Sequence, residues 1–297
     1  MSRQAYDIAG HRIVVEFAGA YGHAEIIAPT FQPFAVAEDN GREAILLIKA
    51  DDSYRPDKND LLKAGDYYSA NTEYSMYSRS NGNIVIFFGD KEHTPLGIIE
   101  LDRQLRNAAI ALRAPVAKRA AAFSNAVMVA YTFATAMRST LVAHASVVSH
   151  IGSGYMFLGK SGAGKSTHSQ LWLDNIPNTE LINDDNPIVR IYENGNVRVY
   201  GSPWSGKTPC YKQACVPVNA AVSLHKAGSN KVLQLQPVSA FIEILSSVSS
   251  LMCYRPCYDG ILRTVIKFTE SVPVYSLECL PNGSAAELCY ETVCRQK

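Results

Sequence analysis

Gly159, Lys160, Ser161, Gly162, Ala163, Gly164, Lys165, Ser166 and Thr167 spell G-x-x-x-x-G-K-[ST]. That string fits one local architecture: a strand, a tight glycine-rich turn and the start of a helix. The flanks agree with it. Tyr155-Met-Phe-Leu is a short apolar run that reads as a strand, and His168-Ser-Gln-Leu-Trp-Leu continues in helical fashion. Glycines let the backbone N–H groups turn inward, and the helix N-terminus adds positive potential, so such a turn is suited to phosphate. On this pattern Lys165 reaches the β and γ phosphates of a nucleoside triphosphate. Ser166 offers its hydroxyl to magnesium, with Thr167 beside it. The expected ligands are ATP, or another nucleoside triphosphate, and Mg²⁺.

Many enzyme classes use such a loop, so its surroundings matter. The base-reading N-K-x-D of GTPases is absent. A long apolar strand ending in one acid, usual in large ATPases, is not seen after the loop. Instead Leu181-Ile-Asn-Asp-Asp places two adjacent carboxylates, Asp184 and Asp185, at the end of a short strand. Paired carboxylates beside a metal can divide the work, one holding magnesium and the other accepting a proton from an incoming hydroxyl. An Asp-Asp pair ahead of Asn-Pro is also a common solvated turn; its position after the loop and helix favours the functional reading.

Four ordered segments resemble a known family. They are His144-Ala-Ser-Val-Val, Phe157 through Thr167, Leu181-Ile-Asn-Asp-Asp, and Tyr200-Gly-Ser-Pro-Trp-Ser-Gly-Lys. Together they look like the motifs of the HPr kinase/phosphorylase-like proteins, whose superfamily includes the phosphoenolpyruvate carboxykinases. The resemblance covers roughly residues 115 to 297. It implies an α/β fold with a P-loop kinase core, a mixed β-sheet flanked by helices. It also implies a magnesium-dependent phosphotransferase with a histidine ahead of the loop strand. Position by position, His144 matches that histidine, Asp184 the proposed base and Asp185 the acid that helps hold metal. Two departures stand out: Thr167 occupies a place where many HPr kinases carry Glu, and their downstream glycine-rich signature is not found. Gly201 to Lys207 stands in that region, with Lys207 and Ser202 as candidate contacts to a phosphate or substrate. A surface turn anchored by Trp204 is the plainer reading of the same stretch.

The first 110 residues carry no such resemblance and read as strand-rich. Ala44-Ile-Leu-Leu-Ile is a short apolar run, and Glu73–Ser78 and Asn83–Phe88 flank Asn81-Gly82, a hairpin signal. The expected organisation is a smaller β-rich domain over 1–112 and the kinase-like domain over 113–297. In the latter, helices are expected over 117–141, 164–173, 238–252 and 258–268. A last helix should begin at Ser284, with Glu287 completing a capping box.

Membrane spanning has one candidate, Ala120 to Met137, which is free of charge. Ser124, Asn125, Thr132 and Thr135 interrupt it, and it reads as a buried helix of a globular protein. The N-terminus has no apolar run long enough for a signal peptide, so the expected location is cytoplasmic. Lys and Arg number 28 against 27 Asp and Glu, which argues against a nucleic-acid partner. All seven cysteines follow residue 209 without zinc-finger spacing, and read as buried free thiols.

The leading expectation is a kinase moving the γ-phosphoryl group of ATP to a hydroxyl on a protein, peptide or small molecule. The alternatives are a catalytically weak nucleotide-sensing or peptide-binding module on a kinase scaffold and, less favoured because the chain is short, a phosphoenolpyruvate carboxykinase. A homo-oligomer is implied by the resemblance alone.

Overall fold

The computed structural model describes residues 2–18, 29–38, 41–69, 71–206, 208–249 and 252–294. The chain divides into two compact units, residues 1–135 with 251–255, and residues 136–250 with 256–297. Both are built on large mixed sheets, so the protein is a mixed α/β structure.

The first unit holds a nine-stranded sheet in the order β3-β1-β2-β4-β9-β8-β7-β6-β5. In chain order its strands are β1 (Ser2–Ile8), β2 (His11–Phe17), β3 (Ala35–Val36), β4 (Leu46–Ala50) and β5 (Leu62–Ser69). They continue with β6 (Thr72–Ser78), β7 (Ile84–Asp90), β8 (Pro95–Leu101) and β9 (Asn107–Leu112). Asn81-Gly82 turns the β6–β7 hairpin, as its sequence signals. Helix α1 (Arg119–Thr135) covers this sheet. Phe123 meets Phe17, and the Tyr131 hydroxyl donates to Ile8 O at 3.2 Å.

Packing explains how a helix without charge beyond its first residue, Arg119, carries polar residues. Tyr74 Oη donates to Asn125 Oδ1 at 2.6 Å, while Thr132 and Thr135 donate to their own helix at Met128 O and Tyr131 O, both at 2.8 Å. Among the described residues no helix is long and apolar enough to cross a membrane. The expected boundary at 112 precedes α1, whose packing against β8 and β9 groups it with the first unit. The helix also stops six residues before the expected end at 141. Residues 136–139 turn, with Ser139 at φ 49°, and a new strand begins at Thr140.

The second unit carries the loop. Its strands are β10 (Thr140–Val142), β11 (Ala145–His150), β12 (Ser153–Leu158), β13 (Thr179–Asp185) and β14 (Ile188–Ile191). They are followed by β15 (Val197–Tyr200), β16 (Cys215–Lys226), β17 (Lys231–Gln234) and β18 (Val274–Cys279). The sheet runs β10-β14-β15-β16-β12-β11-β13, with β18 pairing β16 and β17. Strand β12 is parallel to β16, whereas β11 is antiparallel to both β12 and β13. The C-terminal ends of β12, β13 and β16 therefore lie at the same end of the sheet.

The unit's helices are α2 (Lys165–Asn175), α3 (Pro237–Ser246), α4 (Arg255–Ser271) and α5 (Gly283–Cys294). Period-two alternation along β12 divides the core. Tyr155 and Phe157 pack with Trp172 of α2 and with Ala286, Cys289 and Val293 of α5. Met156 and Leu158 face Ile244 of α3 and Phe268 of α4. Two sequence expectations change here. Helix α3 ends at Ser246 rather than 252, because Ser247 O accepts the His144 N–H and Val248 bridges Ala143. The last helix is capped by Asn282, whose Oδ1 accepts the Ala285 N–H at 3.1 Å, in place of the expected Ser284 capping box.

Candidate functional site

The glycine-rich loop leaves the end of β12 and enters α2 at Lys165, in the strand–turn–helix order its residues require. Gly159 has φ 137° and Gly162 φ 80°, regions that residues with a side chain avoid. A Cβ on Gly159 would also lie 2.9 Å from Ala163 Cβ and 3.2 Å from Leu224 O. Ser166 and Thr167 stand exposed in the first turn of α2, where N–H groups have no helical partner.

Lys165 is buried, and its side chain turns back over the loop. Its Nζ donates to Gly159 O and lies 2.9 Å from His144 Nε2, with Lys160 O at 3.5 Å. Burial lowers the pKa of this ammonium, opposed by Asp185 and Asp184, which raise it. With Nε2 accepting, the neutral imidazole of His144 carries its proton on Nδ1, which lies 3.0 Å from Asp185 Oδ1. His144 is set by its own backbone, whose N–H donates to Ser247 O at 2.7 Å.

The two carboxylates have different surroundings. Asp184 is only 3% exposed, and the Thr208 N–H approaches its Oδ2 at 3.4 Å. Asp185 is half-buried; its Oδ2 accepts from Asn186 Nδ2 at 2.8 Å and its N–H donates to Asn183 Oδ1. The register pairs Ala145 with Asp185 and Ser146 with Asp184, so β11 carries the residues after His144 directly alongside the acids. The loop lysine, the histidine and Asp185 thus meet at one end of the sheet, although they come from three separate segments.

Ser202 departs from its expected role as a phosphate or substrate contact. It is fully buried, lies 2.6 Å from Asn186 O, and accepts from the Trp204 N–H at 3.1 Å and Asn183 Nδ2 at 3.2 Å. One hydroxyl has one proton and two lone pairs, so it is fully used in holding the turn beside the acids. Lys207, the other candidate contact, lies outside the described residues.

No family model matches the chain, and no curated protein matches it. Among solved structures, the chain is similar to the HPr(Ser) kinase/phosphatase from Coxiella burnetii, at 14% identity and a TM-score of 0.29. That likeness covers 52% of this chain and 93% of the other. It is too loose to carry residue roles or a reaction across.

Several residues near the loop gave no signal in sequence. Asn183 is fully buried and ties the carboxylate strand to the turn at Ser202 and Trp204. On the other side of the loop, β16 pairs Ser223 with Leu158, and the buried Ser223 hydroxyl donates to Glu243 Oε2 at 2.6 Å. His168 is buried directly behind the loop. It packs edge-on against Phe157 and accepts from Trp172 Nε1 at 3.2 Å, and burial pushes its pKa down to about 4. Such partners lie far apart in the chain, or read as ordinary core residues, until the strands are paired.

A magnesium ion at this end would find oxygen donors in the Ser166 hydroxyl and the Asp185 carboxylate, a hard donor set that suits it. Among the described residues there is no group of three or more His, Cys, Asp or Glu able to hold a metal. The ion would thus need phosphate oxygens and water to complete its shell, which is the usual habit of magnesium.

Proposed function

We propose that this protein is a magnesium-dependent phosphotransferase of the HPr-kinase-like type, moving the γ-phosphoryl group of ATP, or another nucleoside triphosphate, to a hydroxyl acceptor. The observation that carries the reading is the contact chain from Lys165 through His144 to Asp185, which joins the glycine-rich loop to a pair of carboxylates. A loop of this sequence without acids beside it would support binding alone.

In this reading the loop N–H groups and Lys165 take the triphosphate, with the α2 N-terminus adding positive potential. Ser166 and Asp185 hold magnesium, which when bound supplies positive charge against the phosphoryl oxygens. Asp184 accepts the proton of the attacking hydroxyl. His144 keeps Asp185 and Lys165 in fixed relation, donating to one and accepting from the other. Most of the catalytic effect in such chemistry comes from positioning and from electrostatic stabilisation of the transferred group.

The test measures nucleotide binding and transfer of labelled γ-phosphate to pooled peptide and metabolite hydroxyls, with and without Mg²⁺. Wild type is expected to do both, Lys165→Ala to lose binding, and Asp184→Asn to bind nucleotide but lose transfer. Nucleotide binding without magnesium-dependent transfer to any pool would sink the kinase reading and leave a nucleotide-sensing module. Full transfer by Asp184→Asn would remove Asp184 from its role.

A further inference from the structure

Helix α4 presents two cations that the loop chemistry does not use. Arg263 and Lys267 are four residues apart and so share one helix face. They line a hollow of about 150 Å³ together with Met137, Ser139, Gly260 and Thr264, all within the second unit. Neither cation has an ion pair or hydrogen bond among the described residues, and the Ser139 hydroxyl also has none.

The hollow is shaped by a close backbone crossing. The turn after α1 passes over α4 at Gly260, where a Cβ would lie 2.6 Å from Ala136 O. Only glycine allows that approach, which brings the 136–139 turn onto the face that carries Arg263 and Lys267. Ser139, at φ 49°, then directs the chain into β10. Thr264 is not an open donor, since its hydroxyl already bonds Gly260 O at 2.8 Å.

The uncommitted polar side chains of the hollow are therefore a guanidinium, an ammonium and a hydroxyl. All three donate, and two carry positive charge. Like charges at this spacing on a helix repel, a strain that a bound anion would relieve. A planar fork, a point charge and a hydroxyl together suit the several oxygens of a phosphate group. The space is roughly ten times the 10–15 Å³ that one water needs on the same measure, enough to admit a tetrahedral anion with some of its hydration.

We propose that this hollow is a second anion site of the protein, which takes the phosphate group of a small ligand. It is distinct from the glycine-rich loop. Ser139 lies five residues before His144, at the opposite end of β10, which at strand spacing separates the two by about 16 Å.

The experiment titrates the protein with inorganic phosphate at constant ionic strength, following binding by amide chemical shifts. Because the loop also suits phosphate, the titration is made in Lys165→Ala and in the same protein carrying Arg263→Gln and Lys267→Gln. Saturable binding is expected in Lys165→Ala, with shifts centred on the 136–139 turn and α4. The two further substitutions should weaken it at least about tenfold. Both are exposed side chains, and matched amide spectra without phosphate establish that the fold is retained. Loss of all phosphate binding in Lys165→Ala would overturn the proposal. Unchanged binding after the two α4 substitutions would overturn it, as would equal competition by chloride. The outcome is independent of whether the loop transfers phosphate.

Discussion

Lys165 Nζ lies 2.9 Å from His144 Nε2, and the opposite ring nitrogen of that histidine lies 3.0 Å from Asp185. One imidazole therefore connects the head of α2 to the end of β13. If His144 is replaced by Ala, Lys165 keeps Gly159 O as an acceptor but Asp185 loses its ring partner. His144→Ala should change nucleotide affinity by less than about threefold while lowering phosphoryl transfer by 10-fold or more, the loss of about 1.4 kcal/mol or more of transition-state stabilisation. Equilibrium nucleotide titration and single-turnover transfer separate the two effects. Equal losses in both would place His144 in binding alone.

Ser202 supports the same acids from behind. Removing its hydroxyl leaves the Trp204 N–H and Asn186 O without that partner in a buried turn. Ser202→Ala should destabilise the protein by about 1–3 kcal/mol in urea unfolding, the cost of unsatisfied buried polar groups. A substrate-contacting serine would behave oppositely, raising KM with the unfolding midpoint unchanged.

These two residues mark where the sequence was legible and where it was not. The loop could be read because its residues are contiguous and each glycine has a backbone reason. Asp184 and Asp185 could be read as the end of a strand. That this end coincides with the loop follows only once β11 is found antiparallel to both β12 and β13, a pairing that no local pattern encodes. The burial of Ser202 was hidden for a similar reason, since glycines and a serine near a tryptophan spell an exposed turn equally well. The helix-forming run continues through Ala136 and Met137, so the sequence does not mark the end of α1; the break is fixed by the Ser139 turn and by the pairing of β10 with β14. Asn282 took the cap from Ser284 because both are good caps and the choice rests on where the chain leaves β18.

His168 gives a pH dependence whose sign can be worked out. The ring is buried neutral, with a pKa of about 4 against 6.5 for the free group, and the cause is burial. Between those values the unfolded chain binds a proton that the native state refuses. Stability from this group is complete above pH 6.5, falls as pH drops toward 4, and is flat below that. The full change is on the order of 3 kcal/mol. His168→Gln should be less stable at pH 7, because Phe157 and Trp172 lose a fitted neighbour, yet show a shallower decline from pH 7 to pH 4.5. Chemical denaturation at the two pH values measures it. Parallel declines in both proteins would mean that His168 is not the group responsible.

The glycines of the loop separate two physical effects that a single substitution would merge. At Gly162 a Cβ meets nothing within 4 Å, so Gly162→Ala bears only the left-handed backbone at φ 80°. That cost is roughly 1–2 kcal/mol. At Gly159 the backbone lies at φ 137°, and the Cβ would in addition press on Ala163 Cβ and Leu224 O. The second contact is with the backbone of β16, the parallel neighbour of β12, which cannot move without disturbing the pairing of Leu158 with Ser223. Gly159→Ala should therefore cost about 3 kcal/mol or more, and the loop should be displaced where it leaves the strand. Nucleotide affinity is expected to fall at least tenfold in Gly159→Ala and by a smaller factor in Gly162→Ala. Urea unfolding and nucleotide titration of the two variants side by side decide the matter. A larger loss of stability at Gly162 than at Gly159 would show that the contact with β16 does not hold the start of the loop.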